Sequence, residues 1–127
     1  MVAGGDHPRL TLLDCVATPL VRDSLSADQA LWLAAMFKAL SDPVRLRLLS
    51  LIASHDGGEA CVCDLTPAFD VSEPTISHHL KALREAGLVT SDRRASWVYY
   101  RIVPEALTGL SVLLDATGVA RSLESAR

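Results

Sequence analysis

A mainly α-helical fold with a β-hairpin is predicted by three features of this 127-residue chain. The run Val71 to Gly87, VSEPTISHHLKALREAG, has a turn, a capped start, apolar residues at helical spacing and a glycine stop. A shorter helical stretch, Cys61 to Phe69, precedes it across a turn, which is the order of a helix-turn-helix. From Leu88 the composition becomes strand-like: Leu88 to Ser91, then Trp97 to Ile102, joined by a charged turn at Asp92 to Ser96.

The remaining elements follow in order. Residues 1 to 23, with glycines and two prolines, read as an arm carrying Cys15. Asp23 or Ser24 can cap a helix beginning near Leu25, with Leu31, Ala34, Ala35, Phe37, Lys38 and Leu40 at mixed three- and four-residue spacing. Asp42 is the expected N-cap of the next helix and Pro43 its first residue. Leu46, Leu49, Ile52 and Ala53 form the expected inner face, and His55 to Glu59 a turn. Ser72 begins the central helix, where Ile76, Leu80, Leu83 and Ala86 repeat at helical spacing before Gly87. Pro104 opens a last helix with a stripe of Leu107, Leu110, Leu114 and Val119. Val112 and Leu113 fall outside that stripe, so the helix has two apolar faces, one for the domain and one for a partner chain. The expected domain therefore spans 24–123, with dimerisation included, and leaves a tail at 124–127.

Composition excludes several classes. Half the residues are apolar, against bulk disorder. No apolar run approaches the roughly 18 residues of a membrane span, and the first residues lack the pattern of a secretory signal. Three cysteines, an odd number, do not make a disulfide framework, and in the expected cytoplasmic setting they stay as thiols. The net charge of −3 is unevenly spread. Met1 to Asp70 has five Lys/Arg against nine Asp/Glu, whereas Val71 to Arg101 has five against three. Basic charge thus concentrates on the helix and hairpin, as a phosphate footprint requires.

The central helix carries the chemistry for DNA. Thr75, Ser77, His78, His79 and Lys81 fall on or near its exposed surface, opposite Ile76, Leu80 and Leu83. Hydroxyls and imidazoles meet base edges, and Lys81 meets phosphate. The helix start at Ser72 can hold a phosphate. Arg93 and Arg94 at the hairpin tip suit the minor groove or the backbone. Trp97, Tyr99 and Tyr100 fit packing of the hairpin better than base stacking.

Cys61 and Cys63 suggest a thiol-seeking ion. Within a regular helix residues two apart diverge by about 200°. With Cys61 just outside a first turn, both sulfurs can face one ion, and a helix start favours the thiolate. Cys15 is the remaining thiol, on an arm long enough to reach its own subunit or a partner. Three thiolates without a fourth donor suit a pyramidal ion with a lone pair, arsenite or antimonite. Cadmium, lead or zinc would want a fourth donor, such as His7 or water, or another geometry.

From Phe37 through Tyr100 the chain resembles the ArsR/SmtB family of metalloregulatory repressors. The resemblance rests on FKALSDPVRLRLLSLI, EACVCDL, VSEPTISHHLKALREAGLV and RRASWVYY, in that order. It implies a homodimeric winged helix-turn-helix repressor that binds a near-palindromic operator and releases it on binding metal. It implies no cofactor for DNA binding, with As(III) or Sb(III), alternatively Cd(II) or Pb(II), as inducer. The expected DNA contacts are Ser72, Thr75, Ser77, His78, His79, Lys81, Arg93 and Arg94, and the expected metal ligands Cys15, Cys61 and Cys63. The EACVCDL segment looks like that of arsenic-, cadmium- and lead-responsive members. The cysteine that often follows the pair is missing from Asp64 to Pro67, and Cys15 matches members that use an N-terminal-arm cysteine instead. The tail has Asp115 and Glu124 but no histidine, against a zinc or nickel site on the last helix. The hairpin has Ala95 and Ser96 where the family has a glycine and often a basic residue. A regulator that senses no metal is the competing expectation. An enzyme is not expected, since no phosphate-cradling glycine loop accompanies the cysteines and histidines.

Overall fold

The computed structural model describes residues 19–22 and 24–117. Cys15, His7, Val119 and Glu124 lie outside the described residues, as do Asp23 and the expected tail. The chain divides into two compact units: residues 35–103, and the residues through Ala34 together with those from Pro104. Among the described residues no helix is long and apolar enough to cross a membrane.

The elements are α1 (Ala27–Leu40), α2 (Pro43–Ser54), β1 (Glu59–Cys61), α3 (Val62–Leu65), α4 (Glu73–Glu85), β2 (Val89–Arg94), β3 (Trp97–Ile102) and α5 (Pro104–Leu113). Helix α1 starts two residues later than the spacing near Leu25 suggests. Its start is fixed by a reciprocal cap: the Ser26 hydroxyl accepts from the Gln29 N–H at 3.1 Å, and the Gln29 side chain accepts from the Ser26 N–H at 2.9 Å. Its buried residues are Leu33, Met36 and Ala39, while Leu31 is 74% exposed. Helix α2 begins as predicted, with the Asp42 carboxylate accepting from the Val44 and Arg45 N–H groups at 2.8 and 3.2 Å. Those bonds, the one from Arg45 foremost, hold the Asp42 carboxyl below its ordinary pKa. Its core residues are Leu48, Leu49 and Ile52; the expected Leu46 is more than half exposed and Ala53 is on the surface.

Helix α4 follows its pattern closely. The Ser72 hydroxyl caps the Thr75 N–H, and Ile76, Leu80 and Leu83 are fully buried. Gly87, at φ 84°, ends it. The Gly87 N–H donates to the Arg84 carbonyl and the Leu88 N–H to the Leu83 carbonyl, a Schellman closure with buried leucines at both ends of the longer bond. The chain then enters the wing.

The wing belongs to a larger sheet than the sequence predicts. Strand β3 is the middle of three antiparallel strands, with β1 on one side and β2 on the other. The turn expected at His55 to Glu59 gives up Glu59 to β1, because Gly57 and Gly58, both at positive φ, reverse the chain within one short turn. The charged loop expected at Asp92 to Ser96 narrows to Ala95 and Ser96, with Arg94 opposite Trp97. Ala95 has φ 57°, the one positive value among the described non-glycine residues. Positive φ at only the first turn position is the pattern of a type II′ turn, where glycine is preferred.

In the second unit α5 is buried through Ala106, Gly109, Leu110 and Leu113. Among the described residues of the expected stripe only Leu110 is buried: Leu107 is half-buried next to the buried Ala106, and Leu114 lies beyond the helix, 57% exposed, next to the buried Leu113. The Leu20 N–H donates to the Leu113 carbonyl at 2.9 Å.

Replacing Ala95 with glycine should stabilise the protein by up to about 1 kcal/mol, since left-handed backbone costs a side chain roughly that much. Urea unfolding reads this as a higher midpoint at unchanged slope, and Ala95→Val should lower the midpoint.

Candidate nucleic-acid interface and thiol pair

The binary pattern of α4 leaves one polar face. With Ile76, Leu80 and Leu83 buried, His78 and Lys81 are exposed and Thr75, Ser77 and His79 half-buried. Ser72 and Thr75 share a hydroxyl–hydroxyl bond at 3.0 Å, so the helix start presents paired oxygens rather than two free rotors. The rings of His78 and His79 meet edge to face, with centroids 5.8 Å apart. His79 is also held from below: the Arg45 Nε–H donates to its Nδ1 at 3.2 Å. Arg47 stacks over the Phe69 ring, 4.7 Å from its centroid, on the turn leading into α4.

The two wing arginines differ. Arg93 is exposed. Arg94 is gripped: its Nη atoms donate to the two Glu59 oxygens at 2.8 and 2.9 Å, and its Nε to Asp92 at 3.0 Å. Its guanidinium also lies over the Tyr99 ring at 4.5 Å. Arg101 donates to the same Glu59 carboxylate at 2.7 Å. The forked bond from Arg94 chiefly holds the Glu59 carboxyl below its ordinary pKa, and the Arg94 pKa rises in turn. Single exposed ion pairs contribute little, but this is a forked network on a carboxylate with 21% side-chain exposure.

Cys61 is both the last residue of β1 and the N-cap of α3. Its Sγ accepts from the Cys63 N–H at 3.2 Å, and Asp64 Oδ2 accepts from the Cys61 N–H at 3.1 Å. This is a capping box with a thiol in the place of a hydroxyl. It holds the Cys61 sulfur over the first turn of α3, beside Cys63. The two sulfurs are drawn together as a disulfide, with Cα atoms 5.1 Å apart, where the sequence predicts thiols. Cys61 is buried and Cys63 exposed, so the pair opens to solvent on one side. His55 Nε2 lies 3.6 Å from Asp64 Oδ2 beside it. Among the described residues no group of three His, Cys, Asp or Glu side chains is arranged to hold a metal ion. The pair alone, once reduced, offers a soft ion two sulfurs.

Arg45, Glu59 and Asp64 were not among the site residues the sequence suggests. Asp64 had a local signal, three residues after a cap. Glu59 had none, because its partners lie 35 and 42 residues away.

Residues 42–91 match the family model for bacterial regulatory proteins of the arsR family. The chain is 45% identical over 87 residues to the arsenic resistance transcriptional regulator ArsR2 of Pseudomonas putida, covering 68% of this chain and 74% of that one. This chain belongs to the arsR family. It is also 51% identical over 70 residues to ArsR1 of the same organism, across 55% of this chain and about half, 53%, of that protein. A homodimeric winged helix-turn-helix DNA-binding domain from Mycobacterium bovis, a possible ArsR-family regulator, superimposes with a TM-score of 0.56 at 30% identity, over 71% of this chain and 85% of that one. The arsR-family chain described here accordingly has the winged helix-turn-helix fold and is a transcriptional regulator rather than an enzyme.

Glu59 ties β1 to the wing, so Glu59→Gln should leave the core folded and speed amide exchange along β2 and β3. Acid should act the same way. The folded Glu59 pKa is lowered, so its contribution is complete above the ordinary glutamate value and is lost as pH falls through the lowered one. Protection factors, taken against the intrinsic exchange rate at each pH and followed downward from pH 5, check both, with Glu59→Gln expected to remove their pH-dependent loss in β2 and β3.

Proposed function

We propose that this regulator is a homodimeric repressor that binds operator DNA through α4 and the wing and releases it on binding trivalent arsenic or antimony. The observation that carries the reading is the convergence of the Cys61 and Cys63 sulfurs at the start of α3, the helix directly before α4. Relatives named for arsenic resistance support the choice of ion. Cys15 supplies the third thiolate, from the same subunit or the partner. Three thiols replace the three oxygens of arsenous acid and release three waters, so no oxidant or reductant is needed once the pair is reduced.

On DNA, Thr75, Ser77, His78 and His79 read or position bases, Ser72 and Lys81 meet the backbone, and the wing adds Arg93 and Arg94. The charge of Arg94 is already balanced by Glu59 and Asp92, which leaves Arg93 the larger share of the wing's phosphate contact. The alternative is a cadmium- or lead-responsive repressor of the same fold, in which the thiolates would need a further donor such as His7 or water.

Titration of the reduced protein on operator DNA separates these readings. Arsenite and antimonite should release the DNA and cadmium, lead and zinc should do so poorly; release by cadmium or lead alone would favour the alternative, and release by none a regulator that senses no metal. Cys15→Ser should keep operator affinity and lose most of the response. X-ray absorption of the arsenic-loaded protein should show three As–S bonds.

A dimer is favoured by the apolar surface of the terminal unit. Leu20, Val21, Leu31 and Leu114, all large and apolar, are 41–74% exposed there. Sedimentation at micromolar concentration should give about twice the 13.6 kDa chain mass. A monomer that still binds DNA tightly would rule the dimer out.

A further inference from the structure

The Arg45–His79 contact has a chemical consequence for recognition. A guanidinium carries only donors, five N–H groups and no acceptor. The Arg45 Nε–H aimed at His79 Nδ1 therefore needs a lone pair on that nitrogen. A ring turned over would place a C–H against the Arg45 N–H and lose the bond, so the orientation is fixed by the same contact. The guanidinium has a second anchor, since its Nη1 donates to the Ala39 carbonyl at the end of α1 at 3.4 Å, and the Arg45 backbone is held at the helix start by its N–H bond to the Asp42 carboxylate. A neutral imidazole with Nδ1 as acceptor carries its one proton on Nε2. Nε2 lies across the ring from Nδ1 and so is directed away from Arg45. His79 itself is half-buried on α4, next to the exposed His78.

We propose that Arg45 is a positioning residue that locks His79 in the Nε2–H tautomer, so that His79 meets DNA only as a hydrogen-bond donor. The inference rests on the reading that α4 binds DNA. In the major groove a donor selects guanine O6 or N7, adenine N7 or thymine O4, and is refused by the amino groups of cytosine and adenine. A phosphate oxygen offers the same acceptor chemistry. His78 has no such partner among the described hydrogen bonds, so the two adjacent histidines play different parts: His79 is fixed as a donor, and His78 adapts to either role.

The test begins without DNA. Nitrogen-15 spectra of the wild-type ring at about pH 8, above the ordinary histidine pKa, should show His79 with a protonated Nε2 and a bare Nδ1. An Nδ1–H tautomer or an even mixture would overturn the proposal. Arg45→Met should release the ring to a mixture, and Arg45→Lys should restore the lock in part. If Arg45→Met fails to fold, the wild-type spectrum still decides. Duplex DNA selected by the protein from a random pool then supplies the second arm. Its addition should move the His79 Nε2 resonance, and His79→Ala should weaken binding about tenfold, the worth of one hydrogen bond to a charged or well-placed acceptor. Arg45→Met combined with His79→Ala should bind no more weakly than His79→Ala alone. Loss on selected DNA alone identifies a base acceptor, and equal loss on random DNA a phosphate oxygen; either supports the proposal. An unmoved His79 resonance on saturated DNA would overturn the contact. Failure to bind any DNA would instead overturn the reading of α4, leaving the measured tautomer as it stands.

Discussion

Strand β3 is the constraint on which the rest of residues 35–103 depends. As the middle strand it pairs on both sides, and its register fixes what sits beside what. Tyr99 lies opposite Cys61 on one side and Asp92 on the other, and Arg101 opposite Glu59 and Thr90. A slip of one residue would turn every side chain to the other face. It would break the Glu59 clamp, move the cap of α3 and take the wing tip off its two-residue turn together. The thiol pair and the wing are therefore two ends of one hydrogen-bonded sheet.

The polar surface of α4 depends in turn on its buried one. Ile76, Leu80 and Leu83 fix the rotation of the helix, and the Ser72 cap and the Gly87 closure fix its two ends. His78 and Lys81 are exposed as a result of that rotation rather than of their own preference. Polar side chains are then refined by neighbours from other elements. Arg45 reaches from α2 to orient His79, and the Ser72 hydroxyl orients Thr75. Preorganisation of this kind lowers the ordering cost of binding.

Features that rest on local sequence were legible in it: the Asp42 and Ser72 caps, Gly87, the start of β3 at Trp97 and of α5 at Pro104. Each is decided within a few residues of chain. What was not legible depends on distant partners or on small offsets. A three-residue strand such as β1 has no period to detect, and its existence follows from pairing with β3. The mixed spacing of α1 singled out no face, and the inner face expected of α2 was right at Leu49 and Ile52 but not at Leu46 and Ala53, because leucines at 46, 48, 49 and 51 offer periodicity more than one stripe. At the candidate site the residue types were visible but their partners were not. Arg94 and Arg93 look alike in RRASWVYY, and only the carboxylate of Glu59, brought alongside by the sheet, tells them apart.

Cys61 stands where three structural obligations meet. It closes β1 against Tyr99, caps α3 through its sulfur and contributes half of the thiol pair. An ion bound by that sulfur would leave it lone pairs for the Cys63 N–H, so the ion and the cap of α3 would share one atom, and a shift of the sulfur would be felt by both. A cap is worth about 1 kcal/mol, and an effect on binding of 1–3 kcal/mol is the usual size of coupling between sites. In the function proposed here, no long chain of intermediaries is needed. A displacement of that sulfur would have two short routes out from Cys61, through α3 and its turn to α4, and through β1 and Glu59 to the wing. Both end on the surfaces assigned to DNA, and linkage requires that DNA, by holding those surfaces, weaken the ion by the same factor as the ion weakens DNA.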